Sequence, residues 1–462
     1  MLLLSGGTVA TMNPDREVIQ RGAVLIDGDR IAAVGPASEL EHAYPAADRV
    51  DARGKLVLPG MVNTHTHLIQ TFLKGLGDDM PLYRWIKEMT LPASVQATEE
   101  DAHVAALHGA IEAIRSGATT LVDFHYANHR PGVIEGVLKG LEEAGVRAIV
   151  GRGLITAGVD KGVRPELIET PEEALGEADR LISRYNRNES RLHVGIAPCI
   201  LWMVTEETIA EARRFADSTG SLITIHVSET NFEVEQSHSH YGLSEMEVMA
   251  EHGFLGHDVL AVHCVKCTAK DIRLMRAFDV KVSHNPCSNM YLASGVPPIP
   301  QMLSAGVTVG LATDGPASNN NQNMVHVLKY AALLHKVAHE DATVITGEKV
   351  LEMATIDGAR AIGMEQEIGS LERGKKADVV VMAFDNPFAT PVHNPLSSLV
   401  YAALGNEPET VVIDGRVVMR DRVIVTLDEM QVRENAQRAA EALAERGGVS
   451  YLAHRPWRSI GF

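Results

Sequence analysis

Residues 57–67 read Val57-Leu-Pro-Gly-Met-Val-Asn-Thr-His-Thr-His67, and this stretch decides the fold. It predicts an apolar strand that ends in two histidines one residue apart. Because side chains alternate between the two faces of a strand, His65 and His67 share a face and can direct their imidazole nitrogens at one point. Two converging neutral imidazoles suit a divalent transition metal, although a His-x-His pair is a weak signal by itself.

Segments typical of strands and helices alternate between residues 59 and 366. Counting the strand that ends at His67, there are eight strand-like segments, the others being 118–124, 148–150, 192–197, 222–227, 259–264, 280–284 and 307–314. Helices are predicted between most of them, for example over residues 99–116 and 133–144. Eight βα units predict an α/β fold, a (β/α)8 TIM-like barrel. An open doubly wound sheet is the alternative, but no Gly-x-Gly-x-x-Gly follows the first strand.

Both ends of the chain carry signals for β-structure. Residues 22–35 place an Asp27-Gly28 turn between two apolar runs, and the triplet Ile-Asp-Gly returns at residues 413–415. We therefore predict one small β-sandwich composed of residues 1–58 and 367–428, with the barrel, residues 59–366, inserted between its two parts. Residues 429–462 are predicted to form a C-terminal helix and tail. The alternative is two independent hairpins packed on the barrel.

Composition narrows the classes of function. The chain has 462 residues, is 45% hydrophobic and 22% charged, and carries a formal net charge of −18. This charge argues against nucleic acid and anionic membranes as partners. The four cysteines form no disulfide framework in the sequence pattern, the first residues lack the basic segment of a signal peptide, and no apolar run approaches the length of a membrane span. We expect a cytoplasmic protein.

Polar residues fall where the predicted barrel strands end. Strand one ends at His65 and His67, and strands five to eight end at His226, His263, His284 and Asp314. Chemistry in these barrels occurs at the carboxyl ends of the strands, so these side chains are expected to meet. His65, His67 and His226 would offer three nitrogens and Asp314 one oxygen to a single metal, which leaves room for water.

Glu229 lies three residues after His226, where strand five enters its loop. A carboxylate beside a metal-bound water can take its proton and pass it to the substrate, so Glu229 is the predicted acid–base group. His263 could contact the metal or hold the attacking water, and His284 could orient the substrate or the hydroxide. Strand four carries no lysine, which argues against a lysine-bridged two-metal centre.

Taken together, these motifs resemble the amidohydrolase superfamily, specifically its mononuclear aminohydrolase branch, over essentially the whole chain. The matching segments are 58–67, 226–229, 262–264, 284–289, 313–319 and 369–378. The resemblance implies that His65, His67, His226 and Asp314 bind one Zn²⁺ per chain, with Fe²⁺ as the alternative metal. It also implies that Glu229, His263 and Asp314 are catalytic. A non-catalytic scaffold, which some members have become, is disfavoured because every expected metal position is filled.

Within this branch the chain is most similar to the s-triazine hydrolases, melamine deaminase and atrazine chlorohydrolase, through residues 350–360, residues 456–459 and Gln70. Trp85 resembles the wall against which those enzymes lay a flat ring, although ordinary core packing would also explain it. The second likeness is to deaminases of S-adenosylhomocysteine and methylthioadenosine, in which a glutamate grips the ribose hydroxyls. Here Ser94 stands at that position, and a neutral hydroxyl cannot replace the paired acceptance of a carboxylate.

Three residues favour deamination over loss of halide. The triazine enzymes carry an amide or acid after the metal aspartate, where this chain has Gly315, and the chlorohydrolase lacks a histidine where His284 stands. An amine must be protonated to leave, whereas a halide departs without a proton, so an acid at Glu229 favours amine loss.

The predicted function is therefore hydrolytic deamination of an N-heteroaromatic small molecule, first an s-triazine such as melamine or ammeline. The alternatives are an adenosine-type or other purine deaminase and, third, a triazine chlorohydrolase. The predicted substrate contacts are Gln70, Trp85, His284 and Ser318. A homo-oligomer is expected, with the C-terminal helix packing on the barrel or on a second subunit.

Overall fold

The computed structural model describes residues 1–187 and 189–457. In chain order the strands are β1 (Leu2–Ala10), β2 (Val18–Asp27), β3 (Arg30–Pro36), β4 (Asp48–Asp51), β5 (Leu56–Pro59), β6 (Met61–Thr66), β7 (Ala118–His125), β8 (Arg147–Leu154), β9 (Leu192–Pro198), β10 (Ile223–Val227), β11 (Val259–His263), β12 (Lys281–His284), β13 (Val309–Leu311), β14 (Val379–Met382), β15 (Pro408–Ile413), β16 (Arg416–Arg420) and β17 (Val423–Ile424).

The α-helices are α1 (Ala37–Ala43), α2 (Leu82–Trp85), α3 (Leu91–Ser94), α4 (Glu99–Arg115), α5 (Val133–Ala144), α6 (Pro171–Tyr185), α7 (Glu206–Thr219), α8 (Asn231–Tyr241), α9 (Glu245–Glu251), α10 (Ala269–Ala277), α11 (Pro286–Tyr291), α12 (Ile299–Ser304), α13 (Pro316–Asn319), α14 (Met324–His339), α15 (Gly347–Ala354), α16 (Ile356–Ala361), α17 (Pro395–Tyr401) and α18 (Glu429–Arg446). A π-helical turn, Ile86–Thr90, joins α2 to α3, and a 3₁₀ helix, Leu68–Leu73, follows β6.

Strands β6 to β13 form the barrel. They lie in one eight-stranded sheet in sequence order, and each neighbouring pair is parallel. β13 also contacts β6, so the sheet is nearly closed. The helix predicted over residues 99–116 is α4, which begins at a capping box in which Thr98 Oγ1 accepts from Asp101 N and Asp101 accepts from Thr98 N. The predicted (β/α)8 barrel is confirmed.

Both chain ends build the second sheet, as predicted. It has nine strands, β1 to β5 from the beginning of the chain and β14 to β17 from its end. The two parts join where β5 pairs antiparallel with β14, with Val57 opposite Val381. The hairpin between β15 and β16 turns at Asp414 and Gly415, both of which have positive φ, as a tight hairpin turn of this kind requires. Two independent hairpins are therefore the wrong description.

The segment 57–67 connects these two sheets. β5 belongs to the nine-stranded sheet built from both chain ends, hereafter the end sheet, and β6 belongs to the barrel. Gly60 alone separates the two strands. Gly60 N donates to Asp378 O at 2.9 Å, and a Cβ at this position would lie 2.1 Å from Oγ1 of Thr119. Only glycine fits this close approach, so the chain can pass directly from one sheet into the first barrel strand and deliver His65 to its far end.

Helix α18 packs against α4 and against the 3₁₀ helix Leu68–Leu73. An ion pair between Arg115 and Glu429 joins the beginning of α18 to the end of α4. The helix predicted after residue 428 thus packs on the barrel, and the final part of the predicted tail, 458–462, lies outside the described residues. In the part of the chain that the structure describes, no helix is both long and apolar enough to cross a membrane.

Candidate active site

The four predicted metal ligands converge at the carboxyl ends of β6, β10 and β13. Nε2 of His67 lies 3.4 Å from Nε2 of His226. Oδ1 of Asp314 lies 3.3 Å from Nε2 of His65 and 3.5 Å from Nε2 of His67. The structure therefore brings together the donor atoms that the strand pattern predicted would meet.

The hydrogen bonds of His67 and His226 fix which ring nitrogen carries the proton. Nδ1 of His67 lies 2.7 Å from Phe124 O, and Nδ1 of His226 lies 2.7 Å from Cys199 O. A carbonyl oxygen only accepts, so each Nδ1 is the protonated nitrogen and each Nε2 presents a lone pair. Burial lowers the pKa of His67 to about 3 and that of His226 well below its usual value, so both rings are neutral.

Two such lone pairs facing each other at 3.4 Å repel unless a cation lies between them. His65 points to the same conclusion, because it is fully buried and, among residues 1–187 and 189–457, neither of its ring nitrogens has a hydrogen-bond partner. Buried polar atoms without partners are costly and rare. Two overlapping groups of donor atoms could hold a metal ion, His65 with His67 and His226, and His65 with His263 and Asp314. Imidazole nitrogens together with a carboxylate oxygen are a donor set that suits Zn²⁺. The residues therefore fit a divalent metal.

Glu229 lies beside this cluster, just beyond β10. Its Oε2 is 3.5 Å from Nε2 of His263, and Ser294 Oγ donates to its Oε1 at 2.9 Å. Burial raises the pKa of Glu229 to about 7. A carboxyl group that holds its proton close to neutral pH can act as an acid in one step and as a base in the next.

His263 lies against two asparagines on one side of its ring. Its Nδ1 lies 3.0 Å from Oδ1 of Asn289 and 3.2 Å from Nδ2 of Asn285, while its Nε2 lies 4.0 Å from Oδ2 of Asp314. Donation from Nδ1 to Asn289 leaves Nε2 free to accept a proton on the side of the cluster. His263 and Asp314 both have positive φ, 69° and 62°, a strained backbone that is concentrated at functional sites.

A cavity opens over these groups. His67, His226, Glu229, His263 and Asp314 line its floor, and its walls include Leu82, Trp85, Ile86, Tyr126, Trp202 and Leu292. Among residues 1–187 and 189–457, no lysine or arginine lines it. Apolar and aromatic walls suit a flat ring, whereas an anionic group on the substrate would find no basic side chain among them.

Three of the four predicted substrate contacts line this cavity, namely Gln70, Trp85 and Ser318. Trp85 Nε1 donates to Ala317 O at 3.3 Å, which fixes the plane of the indole. Ser318 Oγ donates to Gly315 O at 3.0 Å. His284 is not among the residues that line the cavity, and its Nε2 lies 3.1 Å from Nε2 of the buried His335 on α14. Its role toward substrate stays a prediction.

Gly315 and Gln70 pack against each other, which the sequence did not indicate. A Cβ on Gly315 would lie only 1.9 Å from Oε1 of Gln70. The carboxamide of Gln70 thus occupies the space that the amide or acid side chain expected at position 315 would need.

Several site residues were missed by reasoning from the sequence. They are Tyr126, Trp202 and Glu233, which line the cavity, Ser288, which donates to Asp314 Oδ2 at 2.6 Å, and Ser294, Asn285 and Asn289. Asn285, Ser288 and Asn289 belong to the motif 284–289, so a signal for them existed. Trp202 and Glu233 come from segments between strands, whose position over the barrel mouth no local pattern indicates.

Comparison with known proteins agrees with this geometry. Residues 56–418 match the Amidohydrolase family, and residues 22–47 match the Imidazolonepropionase-like composite domain of bacteria. The chain belongs to the amidohydrolase family. As an amidohydrolase it is a metal-dependent hydrolase of the deaminase type that acts on C–N bonds, which confirms the predicted enzyme class.

Relatives of this amidohydrolase include deaminases of adenosine-type nucleosides. It is 40% identical to the 5'-deoxyadenosine deaminase of Methanothermobacter thermautotrophicus, over 92% of this chain and 95% of that protein. A zinc-bound adenosine deaminase from Xanthomonas campestris superposes with a TM-score of 0.90 at 28% identity, covering 96% of this chain and 98% of that one. A variant of the atrazine chlorohydrolase of Arthrobacter aurescens TC1, with zinc and atraton, has a TM-score of 0.90 at 23% identity, covering 95% and 100%, and shows a shared fold.

We expect replacement of His226 with Asn to lower metal affinity by more than about 100-fold, the upper end of the cost of losing a supporting residue. The reason is that His226 contributes one of the two facing Nε2 lone pairs. The measurement is metal content after dialysis against a buffered series of free Zn²⁺. His284→Asn, a buried histidine outside the cluster, is the matched control and should keep its metal. Equal metal content in the two variants would contradict the ligand role of His226.

Proposed function

We propose that this amidohydrolase hydrolytically deaminates the 6-aminopurine ring of an uncharged adenosine-type nucleoside, with 5'-deoxyadenosine as the first candidate. The observation that carries the proposal is the convergence of Glu229 and His263 with three of the predicted metal ligands on the floor of one aromatic cavity; these ligands are His67, His226 and Asp314. The identity of 40% to a 5'-deoxyadenosine deaminase over nearly the whole chain supports the nucleoside.

In the proposed reaction, water adds its oxygen to the ring carbon that bears the amine, the C–N bond breaks, and the products are the oxo ring and ammonia. A bound divalent metal would supply Lewis-acid activation of the water. Glu229 protonates the adjacent ring nitrogen, which makes the carbon electrophilic, and Nε2 of His263 and the Asp314 carboxylate accept the two protons of the water. One of these protons passes to the amine, which leaves as ammonia, and the other returns to Glu229. Trp85 supports the face of the ring, and the apolar walls exclude competing water.

Position 94 carries no carboxylate, but another side chain of the cavity can accept hydrogen bonds from ribose hydroxyls. Ser94 Oγ bonds to Tyr126 Oη at 2.9 Å, deep in the wall. Glu233, in contrast, lines the cavity and is buried. Its Oε2 accepts from Thr230 N at 2.8 Å and from Thr230 Oγ1, which leaves Oε1 free among residues 1–187 and 189–457. We propose that Glu233 Oε1 accepts the hydroxyl bonds of the sugar.

The charge of the cavity limits the substituent at the 5' position. The carboxylate of Glu233, the proposed sugar acceptor, lines it, and no lysine or arginine side chain of the described residues does. A phosphate would therefore be desolvated beside a like charge, which is strongly unfavourable. We expect 5'-deoxy or thioether substituents to be accepted and nucleotides to be rejected.

An amino-s-triazine is the second candidate ring. It needs no sugar acceptor, so the neutral Ser94 does not count against it, and the aromatic wall at Trp85 suits it equally. The structural similarity to triazine enzymes at 23% identity shows the fold alone, so this candidate ranks after the nucleoside.

The test is ammonia release by the purified, Zn²⁺-loaded protein. The panel contains 5'-deoxyadenosine, methylthioadenosine, S-adenosylhomocysteine, adenosine, AMP, melamine and ammeline, with chloride release from atrazine read in parallel. We expect 5'-deoxyadenosine to be the best substrate and AMP to give no turnover. Glu233→Gln should raise KM for the nucleosides and leave that for melamine unchanged. Ammonia from melamine without turnover of any nucleoside would overturn the nucleoside assignment.

A further inference from the structure

One short segment of the chain, residues 82–94, supplies much of the cavity wall. It contains α2, the π-helical turn and α3, and five of its side chains line the cavity, namely Leu82, Trp85, Ile86, Thr90 and Leu91. Its helical pieces have four, five and four residues, which is too short to be stable without contacts to other parts of the protein. The contacts that hold this segment, hereafter the wall segment, therefore decide where the substrate ring can lie.

Residues 447–455, hereafter the C-terminal segment, follow α18 and pack on the wall segment. A Cβ at Gly447 would lie 2.7 Å from Cα of Ala93 in α3, and Val449 is 1% exposed. None of residues 447–455 lines the cavity. Any effect of the C-terminal segment on the substrate must therefore pass through the wall.

The far end of the C-terminal segment binds the loop that precedes α2. Nη1 of Arg455 donates to Asp78 O at 2.6 Å, and Nη2 donates to Asp78 Oδ2 at 3.3 Å. Nη1 also lies 3.0 Å from Oδ2 of Asp79. One guanidinium thus contacts a backbone carbonyl and two carboxylates of the same loop, and its planar set of donors keeps them in a fixed arrangement.

The loop held by Arg455 packs directly on the indole of Trp85. A Cβ at Gly77 would lie 2.4 Å from Cδ1 and 2.5 Å from Nε1 of Trp85, so only the bare backbone of glycine fits there. Asp78 follows Gly77 directly, and a shift of Asp78 would move the backbone that lies against the indole. Trp85 Nε1 also donates to Ala317 O at 3.3 Å. The position of the indole thus depends on both the loop and α13.

Asp78 also joins this loop to two other parts of the cavity wall. Tyr291 Oη donates to Asp78 Oδ1, and Asn320 Nδ2 donates to the same oxygen at 3.3 Å. Tyr291 directly precedes Leu292, and Asn320 comes two residues after Ser318; both Leu292 and Ser318 line the cavity. Three separate wall elements therefore meet at the carboxylate to which Arg455 is bound.

We propose that Arg455 is a positioning residue for the ring-binding wall, because it holds Asp78 and, through the adjoining backbone, the indole of Trp85. This inference rests on the proposed deamination of a heteroaromatic ring but not on which ring it is. The wall contacts the ring in the ground state and in the transition state alike, so loosening it should raise KM. The groups that move protons, Glu229, His263 and Asp314, come from the barrel strands and their ends, so kcat should stay close to its wild-type value.

The first experiment measures kcat and KM separately for Arg455→Met, in the full-length, Zn²⁺-loaded protein, with whichever amine of the panel is turned over. We expect KM to rise about three- to fivefold, the scale of one partly exposed ion pair, and kcat to stay within about twofold. Arg455→Lys keeps the charge and should recover part of the change. Arg53→Met, which breaks an exposed pair with Asp51 of β4, is the matched control and should keep the wild-type KM.

This division between KM and kcat separates positioning from a loss of stability. A variant that is merely less stable has a smaller active fraction, so its apparent kcat falls while its KM is unchanged. That result for Arg455→Met would overturn the proposal.

The reciprocal variant removes the charges on the other side of the contact. Asp78→Asn/Asp79→Asn keeps an oxygen that can accept from Tyr291 and Asn320 but leaves Arg455 without its carboxylates. It should raise KM by a similar factor, and addition of Arg455→Met should raise KM little further, because the same contact is already lost. Fully additive effects would show that the arginine and the two aspartates act independently, which contradicts the proposal.

Hydrogen exchange of the Zn²⁺-loaded protein gives a readout that needs no turnover. In Arg455→Met the backbone amides of residues 77–94 should exchange faster than in the wild type, whereas those of β10 and β11 should not change. Unchanged exchange over residues 77–94 would overturn the role of Arg455. If the wild-type protein releases ammonia from no ring in the panel, the proposed function fails, and faster exchange confined to residues 77–94 would still support the positioning of the wall by Arg455.

Discussion

Replacing Glu229 with Gln is expected to lower kcat about 10²–10⁴-fold, the range that general acid–base catalysis contributes. The amide keeps the shape of the side chain and can still accept from Ser294 Oγ, as Oε1 of Glu229 does at 2.9 Å. It cannot deliver a proton to the ring nitrogen or to the departing amine. The measurement is steady-state ammonia release, with metal content and the unfolding midpoint recorded on the same preparation.

Glu245→Gln is the matched control for this substitution. Glu245 is also buried in the same region, and burial raises its pKa to about 8, so it is largely protonated at neutral pH and a neutral amide resembles it. Its Oε2 accepts from Ser228 N at 2.5 Å, a bond that the glutamine oxygen can keep. We expect this variant to retain activity. A Glu229→Gln protein with wild-type kcat would contradict the acid–base role.

The fold could be predicted from the sequence because its local signals agree with its long-range order. Apolar runs, helical spacing and turn residues each marked the same boundaries, and α5 (Val133–Ala144) begins and ends where its pattern did. The end sheet could be predicted because the same turn triplet occurs near both chain ends. The pairing of β5 with β14 is a contact between residues more than 300 positions apart, which supports the grouping without any local signal of its own.

The ligand cluster could be predicted for a geometric reason. In a parallel barrel every strand ends at the same rim, so polar residues at the strand ends lie close together around that rim. The same reasoning did not indicate which way His284, the last residue of β12, would point, because a side chain at a strand end can face the cavity or the surrounding helices. The alternation of faces put His284 against His335 of α14, a helix whose position the strand pattern does not encode.

The choice of substrate ring shows a second limit of prediction from the sequence. Ser94 in place of a carboxylate favours triazines when position 94 is considered alone. The structure shows that Glu233, from the first turn of α8, lines the same cavity, and the relatives with higher identity are adenosine-type deaminases. A polar group can be supplied to a cavity from several elements, as Gln70 and Gly315 also illustrate. An absent residue at one position therefore carries little weight.

The second prediction concerns the free energy of unfolding and a buried ion pair between the barrel and the end sheet. Arg147 begins β8, and its guanidinium donates to both carboxylate oxygens of Asp378 at 3.1 Å and to Asp414 Oδ1 at 3.2 Å. The side chains of Arg147 and Asp378 are each 2% exposed. Asp414 has further cationic neighbours, Lys376 at 3.5 Å and Arg191 at 3.7 Å. Removal of Arg147 would leave the carboxylate of Asp378 buried without its cation.

We therefore expect Arg147→Met to lower the free energy of unfolding by about 3–5 kcal/mol, the usual cost of breaking a buried ion pair from one side. The double variant Arg147→Met/Asp378→Asn removes both charges and should recover most of this loss. The reason is that the amide oxygen introduced by Asp378→Asn can still accept from Asp414 N, which lies 2.8 Å from Asp378 Oδ1. Urea unfolding at a fixed Zn²⁺ concentration measures both variants.

Arg164→Met, which breaks an exposed pair with Glu166, is the control for the buried pair and should change stability by less than about 1 kcal/mol. The contrast follows from solvation, because water screens the exposed pair and replaces its contacts, whereas no water replaces the guanidinium beside Asp378. If the double variant is no more stable than Arg147→Met, the cost lies in lost packing around the arginine stem and the uncompensated carboxylate is not its cause.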